Sequence, residues 1–290
     1  MTFDLHFSKM QALGNDYVYV ETLSQRLKNP ETLAKRLSDR HFGIGSDGMI
    51  LICPSECADF RMRVFDPDGT EAEMCGNGLR SVGKYVYDKG FTKKTVFTVE
   101  TLGGIKTVYL DIRDGKAADI TANIGKPVLD AERIPVLCGA QTCIDFPVLL
   151  DARRFFVTAL SFGNPHGVCF LEQSESPQAF DLARYGTLLE HHAIFPKRVN
   201  AEFCKVLDRK TLFLRTWERG TGETLACATG SAACVVSGVM TGRCGRRMTV
   251  RQLGGETQIE WDKGGEVYMT APSVHVFDGV ITLDKEVFGA

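Results

Sequence analysis

Residues 62–78 read MRVFDPDGTEAEMCGNG, and residues 214–230 read LRTWERGTGETLACATG. The two stretches align without a gap at an offset of 152 residues (214 − 62). The aligned pairs that are identical or chemically similar are Arg63 with Arg215, Phe65 with Trp217, Asp66 with Glu218, Glu71 with Glu223, Cys75 with Cys227 and Gly78 with Gly230. Self-similarity at a fixed spacing is the signature of a repeated structural unit.

Two further matches lie close to the same offset. Gly14-Asn15 corresponds to Gly163-Asn164 at 149 (163 − 14), and Leu102-Gly103-Gly104 corresponds to Leu253-Gly254-Gly255 at 151 (253 − 102). Three segments in the same order at nearly one spacing are hard to obtain by chance. The pattern therefore predicts that the two halves of the chain are structural copies, related by a pseudo-twofold axis.

The local patterns within each half mix short strands with few helices. Asn29-Pro30-Glu31 is typical of a helix start, and β-type runs follow at 49–53 and 60–65. Residues 79–87 show helical spacing of apolar residues, and 94–112 reads as two strands joined by a turn. The second half repeats this order. Because strands outnumber helices and few βαβ units occur, we predict an α+β fold with mixed or antiparallel sheets.

The length of 290 residues agrees with two domains of about 150 residues each. We predict a first domain over residues 1–122, to which the last strands, at about 275–290, cross back. The second domain is predicted over residues 123–274, and the junction lies close to Gly125-Lys126-Pro127.

The composition is that of an ordinary globular protein, with 44% hydrophobic and 24% charged residues. Lys and Arg number 34 against 36 Asp and Glu, so the charge balance favours neither nucleic acid nor a membrane as a partner. The first ten residues, MTFDLHFSKM, lack the apolar segment of a signal peptide, and no run approaches ~18 apolar residues. We therefore expect a cytoplasmic protein.

The ten cysteines and six histidines do not show the spacing of a metal site. The closest cysteine pairs are Cys53 with Cys57 and Cys138 with Cys143, and neither has the C-x2-C spacing of a zinc knuckle. We expect no metal, and we expect most cysteines to be free thiols buried as small apolar residues.

One glycine pattern suggests a nucleotide site and is set aside. Gly43-x-Gly45-x-x-Gly48 matches the dinucleotide-binding fingerprint, which needs a strand before it and a helix after it. Here a helix precedes the pattern and a β-type run follows it. We therefore interpret these glycines as a tight turn.

Cys75 and Cys227 are equivalent, and each precedes a turn of small residues that opens a helix: Cys75-Gly76-Asn77-Gly78 and Cys227-Ala228-Thr229-Gly230. A helix N-terminus carries N–H groups and a partial positive charge, which lower the pKa of a cysteine and bind a carboxylate. If the repeat places the two halves face to face, one thiolate takes a proton from a substrate α-carbon. The other thiol then delivers a proton to the opposite face, which inverts the stereocentre.

These residues resemble a known family, the diaminopimelate epimerases. The resemblance lies in MCGNGLR at 74–80, SFGNPHG at 161–167, RVNAEF at 198–203 and WERGTGETLACATGSAA at 217–233, with KMQALGNDYV at 9–18 and GIGSDG at 43–48. It covers essentially the whole chain, and it implies an epimerase without cofactor that interconverts LL- and meso-diaminopimelate. It also implies two similar domains, each with a sheet curved around a central helix, and a homodimer.

The resemblance implies roles for individual residues. Cys75 resembles the thiolate base for the LL isomer, and Cys227 resembles its acid. Gly76-Asn77 and Ala228-Thr229 resemble the turns whose amides hold the α-carboxylate. The positions that resemble contacts to the distal amino acid end are Asn15, Asn164, Asn200, Glu218 and Arg219. His166 and Glu218 resemble polar residues that support the thiols.

Two positions depart from the family pattern. Some members have Gln where this chain has Gly48, and many have Asn where it has Asp66. The Asp66 carboxylate either binds the substrate ammonium group or turns away to cap its own turn. The substrate therefore stays open at this point.

Other functions also remain open. A proline, hydroxyproline or histidine racemase of the same duplicated fold is the nearest alternative, although C-G-H is typical of the first cysteine in proline racemases and this chain has Cys75-Gly76-Asn77. A thiol redox protein or a metal-binding protein is the alternative from a different class, and a pyridoxal enzyme is a further one.

Overall fold

The computed structural model describes residues 1–289, which form two compact units. The first unit contains residues 1–122 and 271–289, and the second contains residues 123–270. No helix among the described residues is long and apolar enough to cross a membrane.

The chain contains 18 strands and five helices within the described residues. In chain order they are β1 (Thr2–Ala12), β2 (Asn15–Glu21), α1 (Pro30–Ser38), β3 (Met49–Cys53), β4 (Phe60–Phe65), β5 (Glu71–Ala72), α2 (Gly76–Asp88), β6 (Val96–Thr101), β7 (Gly104–Arg113), β8 (Lys116–Gly125), β9 (Phe146–Leu150), β10 (Arg153–Ser161), β11 (Pro165–Phe170), α3 (Leu182–Glu190), β12 (Asn200–Val206), β13 (Thr211–Glu218), β14 (Gly222–Thr224), α4 (Ala228–Met240), β15 (Arg247–Gln252), β16 (Gly255–Trp261), β17 (Val267–Pro272), β18 (Val274–Asp284) and α5 (Lys285–Phe288).

Strand pairing is the same in the two units. In the first unit, β2 pairs in parallel with β3, β3 antiparallel with β4, β4 in parallel with β6, and β6 antiparallel with β7. In the second unit, β11, β12, β13, β15 and β16 make the same four pairings in the same order. Helices α2 and α4 have 13 residues each and begin 152 residues apart (228 − 76). The predicted α+β fold with two similar halves is confirmed.

Helices α2 and α4 are buried in their units. The run from Ala232 to Val236 in α4 has no exposed surface, and in α2 the same is true of Leu79, Val82 and Val86. Helix α2 packs on β1 and β7, and α4 packs on β16 and β11. Each fully buried aliphatic side chain contributes about 1.5–3 kcal/mol. The core therefore fixes both helices, and with them the cysteines at their N-termini.

The helix N-termini differ in detail from the sequence prediction. Helix α2 begins at Gly76, three residues before the apolar periodicity that starts at residue 79, and α4 begins at Ala228. A cysteine side chain caps each N-terminus. Helix α1 begins at Pro30 as predicted, but the Asn29 side chain does not cap it. Its Nδ2 atom donates instead to the carbonyl oxygen of Val287, at 2.7 Å.

The return of the chain to the first unit comes slightly earlier than predicted. Residues 271–274 lie in the first unit, and not in the second as expected. Val274 is paired with Gln11 on β1, and the Ser273 hydroxyl is hydrogen bonded to Ser81 on α2, at 2.6 Å. These contacts anchor the strand to the first unit before residue 275.

Candidate active site

Cys75 and Cys227 cap the two buried helices in the same way. Both residues have an extended backbone (φ −131°, ψ 114° for Cys75 and φ −116°, ψ 116° for Cys227). Each sulfur accepts a hydrogen bond from the N–H group three residues later, from Gly78 or Gly230, at 3.3 Å in both cases. The cysteine thus takes the position that Ser, Thr, Asp or Asn usually occupies at an N-terminus.

The third residue of each turn has no room for a side chain. A Cβ atom on Gly78 would lie 2.5 Å from Ile50 Cδ1, and a Cβ atom on Gly230 would lie 2.9 Å from Glu202 Oε1. Each would also lie within 3.4 Å of its cysteine sulfur. Glycine therefore allows the sulfur to approach the backbone amide.

The first cysteine site consists of Cys75 and the side chains that contact it. The carbonyl oxygen of the Asn15 side chain accepts from the Cys75 thiol at 3.6 Å and from Asn77 Nδ2 at 3.3 Å. The amide nitrogen of Asn15 donates to Asp47 Oδ2 at 2.8 Å. The structure thus brings three predicted residues together around one sulfur, and Asp47 joins them.

Asp47 belongs to a cluster of alternating charges. Arg40 Nη2 donates to Asp16 at 2.9 Å and to Asp47 at 2.8 Å. The backbone N–H of Asp16 donates to Asp47 Oδ2 at 3.1 Å, and Lys9 forms an ion pair with Asp16. The cluster holds the Asp47 carboxylate in place behind Asn15.

A buried cation lies in the same helix as Cys75. Arg80 has no exposed surface, and its Nη2 atom donates to Asn77 Oδ1 at 2.6 Å. Among the described residues, Nε and Nη1 of Arg80 have no hydrogen-bond partner. Burial lowers the pKa of Arg80 to about 10, and the anionic form of Cys75 raises it. Because that interaction is mutual, the guanidinium favours the thiolate of Cys75.

The second cysteine site is a chain of hydrogen bonds that ends at Cys227. Glu202 Oε1 lies 2.7 Å from His166 Nδ1, and His166 Nε2 lies 3.0 Å from Asn164 Oδ1. Asn164 Nδ2 donates to the Thr229 hydroxyl oxygen at 3.2 Å, and that oxygen lies 3.6 Å from the Cys227 sulfur. His166 and Glu202 are fully buried.

Electrostatics at the second site favour the protonated thiol. Burial raises the pKa of Cys227 well above its usual value, and the carboxylates of Glu218 and Glu202 raise it further, whereas Thr229 and Gly230 lower it. Burial also raises the pKa of Glu202 to about 7, against the lowering effect of His166. The prediction of a net lowering of the pKa is therefore wrong for Cys227, because burial and the two carboxylates outweigh the lowering effect of the helix amide of Gly230.

Three further predicted residues lie together at one end of β12 and β13. Asn200 begins β12, and its Oδ1 atom accepts from the backbone N–H of Arg219 at 2.8 Å. Glu218 ends β13 and accepts from the Thr224 hydroxyl at 2.6 Å. The Arg219 guanidinium donates to the carbonyl oxygen of Lys197 at 3.2 Å. A carboxylate and a guanidinium at one strand end could bind the ammonium and carboxylate groups of an amino acid.

Asp66 contacts its own turn. The turn closes through the N–H of Gly69, which donates to the Asp66 carbonyl oxygen at 2.8 Å, and Oδ2 of Asp66 lies 3.5 Å from the Thr70 hydroxyl. Burial and the neighbouring Asp68 raise the pKa of Asp66. Burial also raises the pKa of Tyr17, and Cys75 and Asp66 raise it further.

Gly48 is required by the backbone. Its φ is +152°, and a Cβ atom there would collide with the carbonyl oxygen of Phe65 and lie 2.9 Å from the Tyr17 ring. Local packing in this chain therefore requires glycine at the position where some family members have Gln.

Sequence reasoning misses three charged residues of these sites: Asp47, Arg80 and Glu202. Each lies inside a motif that carries the family resemblance, in GIGSDG, MCGNGLR and RVNAEF. Their place inside these motifs is the available signal. Only the folded structure shows that Asp47 and Arg80 belong to the Cys75 site and that Glu202 belongs to the Cys227 site.

All ten cysteines are thiols in the structure. Cys143, Cys169 and Cys204 are buried, whereas Cys57 is exposed. Within residues 1–289, no three His, Cys, Asp or Glu side chains are grouped so that they could hold a metal ion.

Solved structures with the same fold include a hydroxyproline epimerase and a probable proline racemase. A hydroxyproline epimerase from Agrobacterium vitis aligns with a TM-score of 0.73 over 99% of this chain and 97% of its own, at 15% identity. A probable proline racemase from Agrobacterium radiobacter K84 aligns with a TM-score of 0.74 over 99% and 98%, at 14% identity. At such low identity the likeness shows the fold alone.

Sequence comparison is more specific. The sequence profile described as diaminopimelate epimerase matches residues 7–129 and 158–276. The diaminopimelate epimerase of Acetivibrio thermocellus is 50% identical over 282 residues, which cover 97% of this chain and 100% of that relative. The diaminopimelate epimerase of Methanococcus maripaludis strain C5 is 47% identical over 280 residues, with 96% and 100% covered. The chain therefore belongs to the diaminopimelate epimerase family.

Proposed function

We propose that the protein is an isomerase that interconverts LL-2,6-diaminopimelate and meso-diaminopimelate, in lysine and peptidoglycan precursor biosynthesis. The observation that carries the proposal is the duplicated cysteine cap. Each unit holds one sulfur at the N-terminus of a buried helix, 3.3 Å from a backbone amide. Family membership supplies the substrate.

The reaction needs one proton carrier for each face of the α-carbon. In the LL-to-meso direction the Cys75 thiolate takes the α-proton and becomes a thiol, while the Cys227 thiol gives its proton to the opposite face and becomes a thiolate. The reverse reaction exchanges the two roles. This assignment is supported by the buried Arg80 guanidinium, which favours a thiolate at Cys75, and by the carboxylates that keep Cys227 protonated.

Helix N-termini suit the α-carboxylate. The third amide of each helix is bonded to its cysteine sulfur, so the amides of the first two residues, Gly76-Asn77 and Ala228-Thr229, are those that we assign to the carboxylate. Preorganised N–H donors stabilise the charge that spreads into that group as the α-proton leaves.

We assign the distal end of the substrate to polar side chains of both units. A zwitterionic end needs an acid for its ammonium group and a guanidinium for its carboxylate, and Glu218 with Arg219 supplies both. The side chains that we propose for substrate binding are Asn15, Asp66, Asn164, Asn200, Glu218 and Arg219, with His166 in support of Cys227.

The remaining parts of the proposal rest on the sequence. The two thiols carry the proton transfers, so the proposed reaction uses no cofactor and no metal. A homodimer and a cytoplasmic location remain predictions.

The central test is incubation of the reduced protein with LL-diaminopimelate in D2O, without added cofactor. We expect meso product with deuterium at one α-carbon, measured by chiral chromatography and mass spectrometry. Parallel incubations with L-proline, trans-4-hydroxy-L-proline and L-histidine test the alternative racemases. Exchange with one of these and none with LL-diaminopimelate would refute the proposed substrate.

The thiol pair is tested by Cys75→Ser and Cys227→Ser. Each variant should lose at least about 100-fold in epimerisation, because general acid–base catalysis contributes about 10²–10⁴-fold. Cys57→Ser is the matched control, since Cys57 is exposed and outside both sites. Near-normal turnover in either cysteine-site variant would contradict the two-thiol mechanism.

A further inference from the structure

The two asparagines at equivalent positions beside the cysteine sites are oriented in opposite ways. Asn15 presents its carbonyl oxygen to the Cys75 sulfur, at 3.6 Å. Asn164 presents its amide nitrogen to Thr229, whose hydroxyl lies 3.6 Å from the Cys227 sulfur. The repeat therefore places an asparagine in both sites. The groups hydrogen bonded to each asparagine determine whether its oxygen or its nitrogen is directed toward the cysteine side of the site.

At the second site the neighbour is a ring nitrogen. Asn164 Oδ1 can only accept, so the His166 Nε2 atom that lies 3.0 Å away carries a proton. The amide nitrogen of Asn164 then points to Thr229, which accepts it and keeps its own proton for the sulfur of Cys227. The chain ends in a donor, which stabilises the thiolate that Cys227 becomes when it gives up its proton.

At the first site the neighbour is a carboxylate. Ionised Asp47 can only accept, and its Oδ2 atom lies 2.8 Å from Asn15 Nδ2. The amide nitrogen of Asn15 is thus committed to Asp47, and its oxygen must face Cys75 and Asn77 Nδ2. This site ends in an acceptor, which suits the thiol that Cys75 becomes when it takes the substrate proton.

We propose that Asp47 is a positioning residue that fixes the Asn15 carboxamide with its oxygen toward Cys75, so that the sulfur finds an acceptor for the proton it removes from the substrate. The inference rests on the proposed function, in which Cys75 is the base for the LL isomer. Asp47 touches neither the sulfur nor the substrate in this role and acts through Asn15. The GIGSDG segment, which the sequence predicts only as a tight turn, therefore contributes a residue to the proposed reaction.

A second carboxylate in the same cluster makes it possible to separate the orientation of Asn15 from a simple effect of charge. Asp16 is a second carboxylate bound to the same Arg40, and its side chain pairs with Lys9 and Arg40. Asp16→Asn removes a negative charge from the same cluster and leaves the Asp47 carboxylate on Asn15. Other titratable groups that interact with Cys75 include Arg80 on α2 and Tyr17 and Tyr19 on β2, and these are unchanged in both variants.

The experiment compares Asp47→Asn with Asp16→Asn in two measurements on the full-length protein. The first is kcat and KM for epimerisation of LL-diaminopimelate. The second is the pH midpoint of iodoacetamide alkylation at Cys75, followed by peptide mass spectrometry, which requires no turnover. We expect Asp47→Asn to lose at least tenfold in kcat with KM within threefold, and its midpoint to fall by at least half a pH unit more than that of Asp16→Asn.

The double variant Asn15→Asp/Asp47→Asn tests the orientation directly. The exchange places an amide donor at position 47 and a carboxylate acceptor, which faces Cys75, at position 15. The kcat of the double variant should therefore be at least threefold above that of Asp47→Asn. If Asp47→Asn matches Asp16→Asn in kcat and alkylation midpoint, or if the double variant shows no rescue, Asp47 does not act by orienting Asn15. Wild-type protein without epimerase activity would refute the proposed function instead, and the alkylation comparison would still test the role of Asp47.

Discussion

Replacement of Arg80 by Met removes the buried cation from the helix that Cys75 caps. Arg80 lies five residues after Cys75, which corresponds to about 7.5 Å along a helix axis. Two unit charges about 8 Å apart interact by about 2 kcal/mol at an effective dielectric constant of ~20. One pKa unit corresponds to about 1.4 kcal/mol. Loss of the guanidinium should therefore raise the pH at which the Cys75 thiolate forms by about 1 to 1.5 units.

The Arg80→Met substitution should leave the free energy of unfolding unchanged or raise it, although it lowers activity. The Arg80→Met variant loses one hydrogen bond to Asn77, but it also removes a buried charge with two N–H groups that have no partner among residues 1–289. Replacement of buried charges by apolar residues of similar volume is often neutral or stabilising. We expect a free energy of unfolding equal to or above that of the parent, measured by urea denaturation, together with a loss of kcat at neutral pH.

The assay is the pH dependence of Cys75 alkylation by iodoacetamide, read on the Cys75 peptide by mass spectrometry. Arg80→Lys is the matched control, because it keeps the charge and loses only the planar fork. The midpoint should rise in the Met variant and move much less in the Lys variant. An unchanged midpoint in a folded Met variant, or equal shifts in both variants, would show that the Arg80 charge does not set the ionisation of Cys75.

Three further predictions concern stability. Gly78→Ala should lower the free energy of unfolding by about 1–3 kcal/mol in urea denaturation, because its Cβ would lie 2.5 Å from buried Ile50; Gly245→Ala, which meets open space, is the control, and equal midpoints would contradict the packing argument. Cys227→Ser should keep the helix cap, whereas Cys227→Ala should cost about 1 kcal/mol, and equal stabilities would show that the cap contributes nothing. Asp278→Asn should destabilise the protein near neutral pH: although burial raises the pKa of Asp278, hydrogen-bond donors hold it well below its usual range. A carboxyl with a depressed pKa stabilises above the pKa of the unfolded state, and that stabilisation is lost as pH falls through the folded value. The difference between Asp278→Asn and the parent should therefore shrink in acid, and a difference that does not depend on pH would contradict this account.

The sequence by itself determines the repeat, and through it much of the fold. The offset of 152 residues that joins Cys75 to Cys227 also separates the starts of α2 and α4. The β-type runs at 49–53 and 60–65 are strands in the structure with the same bounds. These features follow from local patterns, because apolar periodicity and turn residues act over a few neighbours. The presence of one equivalent cysteine in each half can therefore be predicted from the sequence alone.

The tertiary structure decides what surrounds the two sulfurs. Asp47, Arg80 and Glu202 come from separate elements and act on the cysteine sites through burial and hydrogen bonds that no local pattern encodes. The same applies to charge: the helix amides predict a lowered pKa for Cys227, yet burial beside Glu218 and Glu202 raises it. Sequence similarity makes the two sites copies, and the chain folded around them makes them chemically different, because solvation and distance between groups far apart in sequence exist only in the folded state.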